Sequence, residues 1–282
     1  MRSLAAALLA LCLSACTSVF FQPQAALVMS PRQFGLDYEP VKLRAGDGTE
    51  LVAWFFPAHG SAQGTVLYLH GNGENISTQF GNVAWLPAAG FNVLALDYRG
   101  YGASGGTPSL SGAQLDIDAA MRELFARPDV DPERIVVFGQ SLGAALAVHY
   151  VAHSPYRAKL RGVILDSPFS DYRLIAREKI ASFPLTWPLQ WVANWIIGND
   201  FSPEASIRAV SPVPVLFIHG DHDFIVPLHH SQRLYERAGE PKELWVVPNA
   251  GHIQAIWHAA ARKKLAQFLH DCVHGQRMVR AD

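Results

Sequence analysis

The sequence predicts an α/β fold: a mostly parallel eight-stranded sheet with helices on both faces and a short helical cap. Three observations predict it. Apolar runs alternate with helix-patterned stretches along most of the 282 residues. The runs are β-branched and continuous, as in Ile135-Val136-Val137, which suits strands buried on both faces. The stretches between the later runs are long enough for the crossover helix that a parallel pair needs.

Taken in order, residues 1–15 read as a leader and not as part of the fold. Met1-Arg2-Ser3 is a short positive start, and the apolar run Leu4 to Leu13 is too short to span a bilayer as a helix. It ends in Leu13-Ser14-Ala15-Cys16, which resembles the lipobox of bacterial lipoproteins. That resemblance implies cleavage before Cys16, a lipid on its sulfur, and a place in the bacterial cell envelope. Thr17 in the following position, where an Asp would signal retention, points by the same resemblance to the outer membrane over the inner. Residues 16–36 are then a lipidated tether and residues 37–282 the domain.

Strands are expected at Glu39–Leu43, Leu51–Phe56, Thr65–His70, Phe91–Asp97, Arg134–Gly139, Gly162–Asp166, Val213–His219 and Glu243–Val247. The turn Gly46-Asp47-Gly48 joins the first two. Helices are expected at about Ser77–Ala88, Ser111–Ala126, Leu142–Ala152, Leu228–Ala238 and Ile253–His270. One stretch, residues 171–207, is longer than a crossover requires. It carries Trp187, Trp191 and Trp195 at i, i+4, i+8, one face of a helix. Packing onto the body is the simpler role for that face. The alternative is a cap that gives a substrate pocket its apolar wall.

Composition excludes several functions. Hydrophobic residues make up 50% and charged residues 17%, so a large core is available. With a formal net charge of −1 and no basic stripe, nucleic acid is not an expected partner. Of the 3 Cys, Cys12 leaves with the leader, Cys16 is lipidated and Cys272 stands alone, so no disulfide framework forms within the chain.

The chemistry centres on Gly139-Gln140-Ser141-Leu142-Gly143. A GxSxG sequence carries meaning when it follows a strand and opens a helix, and this one does both. Its glycines permit a turn too sharp for side chains, and the Ser is pushed out at the carboxyl edge of the sheet. Gly102-Ala103-Ser104-Gly105-Gly106 repeats the pattern but runs into Thr107-Pro108, so it reads as loop. The overlapping Gly100-Tyr101-Gly102-Ala103-Ser104-Gly105 matches GxGxxG without the helix that a dinucleotide site requires.

Attack on an acyl carbon places negative charge on its oxygen, which preorganised N–H donors stabilise by about 3 to 4 kcal/mol each. Leu142, just after the nucleophile, supplies one amide. Asn72, in the turn Leu69-His70-Gly71-Asn72-Gly73 after the third strand, supplies the second. His252 follows the last strand and is the expected base. Asp223, beyond the seventh strand, is preferred as the acid that orients it. Asp221 and Asp166 are competitors; Asp221 reads better as a turn residue, and Asp166 ends the sixth strand. His219, His222, His229 and His230 show no repeated ligand spacing, so no metal is expected.

With these residues in place, the chain after the tether resembles the α/β-hydrolase superfamily. The order Ser141, Asp223, His252 is that superfamily's order. His70-Gly71-Asn72-Gly73, Asp97-Tyr98-Arg99-Gly100-Tyr101-Gly102 and His219-Gly220-Asp221-His222-Asp223 resemble the branch of serine aminopeptidases and prolyl oligopeptidases, with its small esterases and thioesterases. The resemblance implies a serine hydrolase that needs no cofactor and acts on a small acyl substrate. Two other readings stay open. One is a peptidase for short peptides, with Glu178 or Glu204 as an anchor for the amino terminus. The other is a non-catalytic, membrane-anchored binding module.

Overall fold

A computed structural model describes residues 20–275. Cys16 and Thr17 lie outside the described residues. Eight strands form one sheet: β1 Glu39–Arg44, β2 Glu50–Phe56, β3 Gly64–Leu69, β4 Phe91–Leu96, β5 Ile135–Gln140, β6 Leu160–Asp166, β7 Val215–Gly220 and β8 Lys242–Val247. Their order is β1-β2-β4-β3-β5-β6-β7-β8, and β2 alone runs against the rest. The long helices are α1 Leu110–Ala126, α2 Leu142–His153, α3 Tyr172–Ala181, α4 His229–Arg237 and α5 Ala259–Val273. The fold is that of the α/β-hydrolases.

The two-sided burial that the apolar runs predict is present. Leu67, Leu69, Val137 and Leu165 point to the face covered by α1, α2 and α4. Their neighbours Val66, Tyr68, Val136 and Ile164 point to the face covered by α5 and the segment after β3. Period-2 alternation therefore exists in space but divides two apolar cores, which is why it leaves no polar trace in the sequence.

Three expectations need correction. The helix expected at Ser77–Ala88 is a chain of single turns, Ile76–Gln79, Phe80–Asn82 and Pro87–Ala89. Gly81 and Pro87 both disfavour helix continuation there. The final helix starts at Ala259 and not at Ile253, because Ile253 has φ 53° and the chain turns there before the helix begins. In the cap, residues 187–196 form a 3-10 turn followed by the short helix Ala193–Ile196. The tryptophans accordingly do not enter the core; Trp187, Trp191 and Trp195 are all exposed.

The stretch expected as a tether is bound to the body from Phe20 onward. Phe20 and Phe21 are buried, and the Asn75 amide donates to the carbonyls of Gln24 and Ala26 at 2.9 and 2.8 Å. A bridge pairs Pro23 with Glu74. Periodicity carries no sign of this, since the arm is held by backbone groups and two rings.

The junction of β5 with α2 is the tightest place in the fold. A Cβ added at Gly143 would stand 2.1 Å from the Leu69 carbonyl oxygen, and one at Gly139 would stand 2.5 Å from that of Gly143. Gly143→Ala must push α2 away from β3. We expect a loss of about 1–3 kcal/mol or more, read as a lower urea midpoint; an unchanged midpoint contradicts the contact.

Candidate active site

The crowded turn after β5 places Ser141. Its backbone sits at φ 51°, ψ −113°, a conformation that costs a side-chain-bearing residue about 1–3 kcal/mol. Two contacts hold it there. The Ser141 amide donates to the Asp166 carbonyl at 2.8 Å, and the Ser141 carbonyl accepts the Ala144 and Ala145 amides.

Three distant stretches meet at its hydroxyl. Ser141 Oγ lies 2.9 Å from His252 Nε2, and His252 Nδ1 lies 2.7 Å from Asp223 Oδ2. An ionised carboxylate only accepts, so Nδ1 carries the ring hydrogen and Nε2 is left with a lone pair facing the hydroxyl. Asp223 is buried, which by itself raises a carboxyl pKa. Hydrogen bonds from His219 and His252 and the Val226 amide outweigh the burial and hold it well below the usual carboxylate range. It therefore stays charged.

His219, expected only as a strand end, belongs to this site. Its Nε2 donates to the Val226 carbonyl at 2.8 Å and stands 3.3 Å from Asp223 Oδ2, while Nδ1 accepts from Ser231 Oγ at 2.7 Å. Its proximity to Asp223 in His219-Gly220-Asp221-His222-Asp223 was the available signal. The competitors for the acid have other partners. Asp221 accepts the Asn249 amide and the His222 ring at the surface, as a turn residue does. Asp166 accepts from Gln140 Nε2 at 2.8 Å within a buried set that includes Tyr68 and Asn82. Burial raises its pKa to about 6, against the lowering effect of Gln140 and the two histidines.

The Asn72 loop passes directly beside Ser141, since a Cβ at Gly71 would stand 3.5 Å from that of Ser141. Among the described residues, neither the Asn72 nor the Leu142 amide donates to another protein group. Asn72 is clamped through Oδ1, which accepts the Gln22 amide at 2.7 Å, the Gly73 amide at 2.8 Å and the Tyr101 hydroxyl at 3.1 Å. Gln22 belongs to the amino-terminal arm, so that arm braces the loop. Sequence reasoning missed this role, because no local pattern links residue 22 to residue 72.

Ser141, Leu142 and Asn72 open into a cavity of about 460 Å³. Its walls are apolar: Phe20 and Phe169 on the body, Ile175, Ile180 and Ile197 from the cap, and Val226. The cap thus gives the pocket a wall, but with its isoleucines and not with its tryptophans.

The two acids considered as peptide anchors are occupied elsewhere. Glu204 bonds Arg233 and Arg237. Glu178 bonds His229 Nε2 and His230 Nε2, each at 2.9 Å. That trio has the ligand types of a metal site. However, the Ser170 amide donates to His230 Nδ1, so the ring hydrogen sits on Nε2, where a metal would need the lone pair. Burial lowers the His230 pKa to about 4 despite Glu178, in keeping with a neutral ring.

Residues 60–211 match the family model described as serine aminopeptidase, S33. The uncharacterized protein YfhR of Escherichia coli (strain K12) is 39% identical over 222 residues, 77% of this chain and 74% of its own. The α/β hydrolase domain-containing protein WAV2 of Arabidopsis thaliana is 33% identical over 226 residues, 74% of this chain and 70% of its own. Among solved structures, the Pyrococcus furiosus esterase Pf2001 superposes with TM-score 0.69 at 24% identity, covering 88% of this chain and 98% of that one. At that identity it shows the fold alone.

The raised pKa of Asp166 has a definite sign in stability. The fold favours its neutral form, so its contribution is full below about 4, the ordinary carboxyl range. It is lost as pH rises through about 6. Asp166→Asn stays neutral throughout. Urea midpoints of the variant should therefore gain on the wild type between pH 4 and pH 7; parallel curves rule this out.

Proposed function

The chain belongs to the serine aminopeptidase S33 family of hydrolases, and on that premise we propose that it cleaves a carboxylic ester or thioester through an acyl-enzyme on Ser141. The observation that carries the reading is the hydrogen-bonded line from Ser141 Oγ through His252 to Asp223, opening onto an apolar cavity.

In this reading Ser141 Oγ attacks the acyl carbon as its proton passes to His252 Nε2. The carbonyl oxygen takes the negative charge within reach of the Asn72 and Leu142 amides, which have no other protein acceptor among the described residues. As the tetrahedral adduct collapses, the bond to the leaving oxygen or sulfur breaks, and that atom takes the proton from His252. Water then repeats the sequence: it attacks the acyl carbon and gives a proton to His252, the bond to Ser141 Oγ breaks to free the acid, and Oγ takes that proton back from His252. Asp223 remains ionised and balances the imidazolium.

An ester or thioester is preferred to a peptide because the cavity walls are apolar and Glu178 and Glu204 already bond side chains of the fold, His229 and His230 for the first and Arg233 and Arg237 for the second. The chain is further proposed to be an envelope lipoprotein anchored through Cys16; the Leu13-Ser14-Ala15-Cys16 sequence supports this.

A fluorophosphonate probe should label Ser141 in folded protein and leave Ser141→Ala unmodified. Absence of labelling in folded wild type favours the binding-module reading. p-Nitrophenyl esters of rising chain length, run beside aminoacyl anilides, should show turnover of the esters; a preference for the anilides sinks the ester reading. Ile175→Trp fills the cavity, and kcat/KM for medium-chain esters should fall about tenfold or more while acetate is spared. An equal fall for all chain lengths would remove the cavity from the acyl site.

A further inference from the structure

Apolar side chains gather around the mouth of the Ser141 cavity. Ten of the sixteen exposed large apolar side chains among the described residues fall within 183–196 and at 224–225. Scattered residues of this kind need no explanation, but a contiguous patch does. The most exposed are Leu185 at 91%, Trp195 at 89% and Phe224 at 84%. The patch is continuous with the cavity, because Ile196 and Ile225 line it and are also partly exposed on its rim. Lys179 Nζ donates to the Phe224 carbonyl at 3.2 Å and joins the two parts.

The cap segment that carries most of the patch has charge of one sign. No carboxylate occurs from Lys179 to Asn199. Arg177 lies with its guanidinium 4.3 Å from the Trp191 ring centre, and Lys179 borders the mouth. Arg173 and Arg177 also face a neighbouring cavity of about 480 Å³, where Glu204 pairs with Arg233 and Arg237 and Asp171 completes the charged lining. Tryptophans beside basic groups suit the boundary between acyl chains and anionic headgroups.

The chain path supplies the third observation. The Phe20 ring lines the same cavity and packs on Tyr172 of the cap at 5.0 Å. Cys16 is four residues before it. Covalent geometry limits that span to about 14 Å whatever its conformation. A lipid on Cys16 therefore brings a bilayer to the end of the molecule that carries the cap.

We propose that the exposed apolar rim of the cap is a docking face for an anionic lipid bilayer, which seats the mouth of the Ser141 cavity at the membrane surface. The anchor's position rests on the Cys16 reading. The docking itself does not require Ser141 to be a nucleophile. It gives the chain a second membrane contact beside the anchor, and this contact fixes which face of the domain meets the bilayer. It also sets the cavity where an acyl chain can pass from bilayer to pocket without crossing water.

The test uses the full chain with its own amino-terminal processing. It is placed in vesicles of phosphatidylethanolamine and phosphatidylglycerol whose acyl chains carry bromine, a short-range quencher. Of the 7 tryptophans, Trp187, Trp191 and Trp195 should be quenched. The variant with all three changed to Phe keeps the apolar rim and should lose the quenched fraction. Leu185→Ser with Trp195→Ser should reduce quenching of the remaining pair several-fold. Absence of quenching in the wild type, or equal quenching in the triple Phe variant, overturns the proposal. Unquenched protein with a doubled mass in detergent assigns the face to a second copy and also overturns it. The probe reaction at Ser141 separates the two readings: labelled but unquenched protein loses the docking face alone, and quenched but unlabelled protein loses the hydrolytic role alone.

Discussion

The close approach of Gly143 to the Leu69 carbonyl, with room for no side chain, governs the geometry of the whole site. It brings the start of α2 against the end of β3. That contact forces the sharp turn at Ser141, lifts its hydroxyl out of the sheet edge, and sets the Leu142 amide beside the Asn72 loop. Each further part of the site is positioned relative to that turn. The strand register then brings the ends of β6, β7 and β8 into line, so that Asp166 at the end of β6 and the loops carrying Asp223 and His252 lie on the same side.

Two buried carboxylates in this region show how surroundings decide chemistry. Asp223 has its oxygens filled by two backbone amides and two imidazoles, and these donors outweigh the cost of burying its charge. Asp166 has the Gln140 amide as its close donor, with Ser167 Oγ farther off at 3.4 Å, and burial dominates. One is suited to balance a cation, and the other to lock β5 to β6 through Gln140. Both are an Asp near a strand end in sequence, so composition and spacing do not separate their roles.

The amino-terminal arm and the cap were the least legible parts. The arm has neither helical nor strand periodicity. What holds it are the Asn75 amide, the Asn72 oxygen and the burial of Phe20 and Phe21, all partners far along the chain. The tryptophan spacing in the cap pointed to a helical face packed inward. Instead Pro184 and Pro188 bracket a stretch that turns too tightly for a long helix, and the rings face outward. Apolar periodicity identifies a face, but it does not say whether that face meets protein or another apolar phase.

The sequence by itself determined the alternating order of elements, the buried parallel sheet, and the turn at Gly139-Gln140-Ser141-Leu142-Gly143, because these follow from local backbone freedom and from runs of apolar residues. It also ranked Asp223 ahead of Asp221 and Asp166 as the acid and placed His252 in a loop after the last strand. Tertiary structure alone decided that His219 also reaches the carboxylate that meets the imidazole, and that residues 20–22 form part of the cavity and its brace. The physical reason is range. Turn chemistry and periodicity act over a few residues, whereas the hydrogen bonds that select among these groups join atoms whose neighbourhood exists only after the sheet has closed them together.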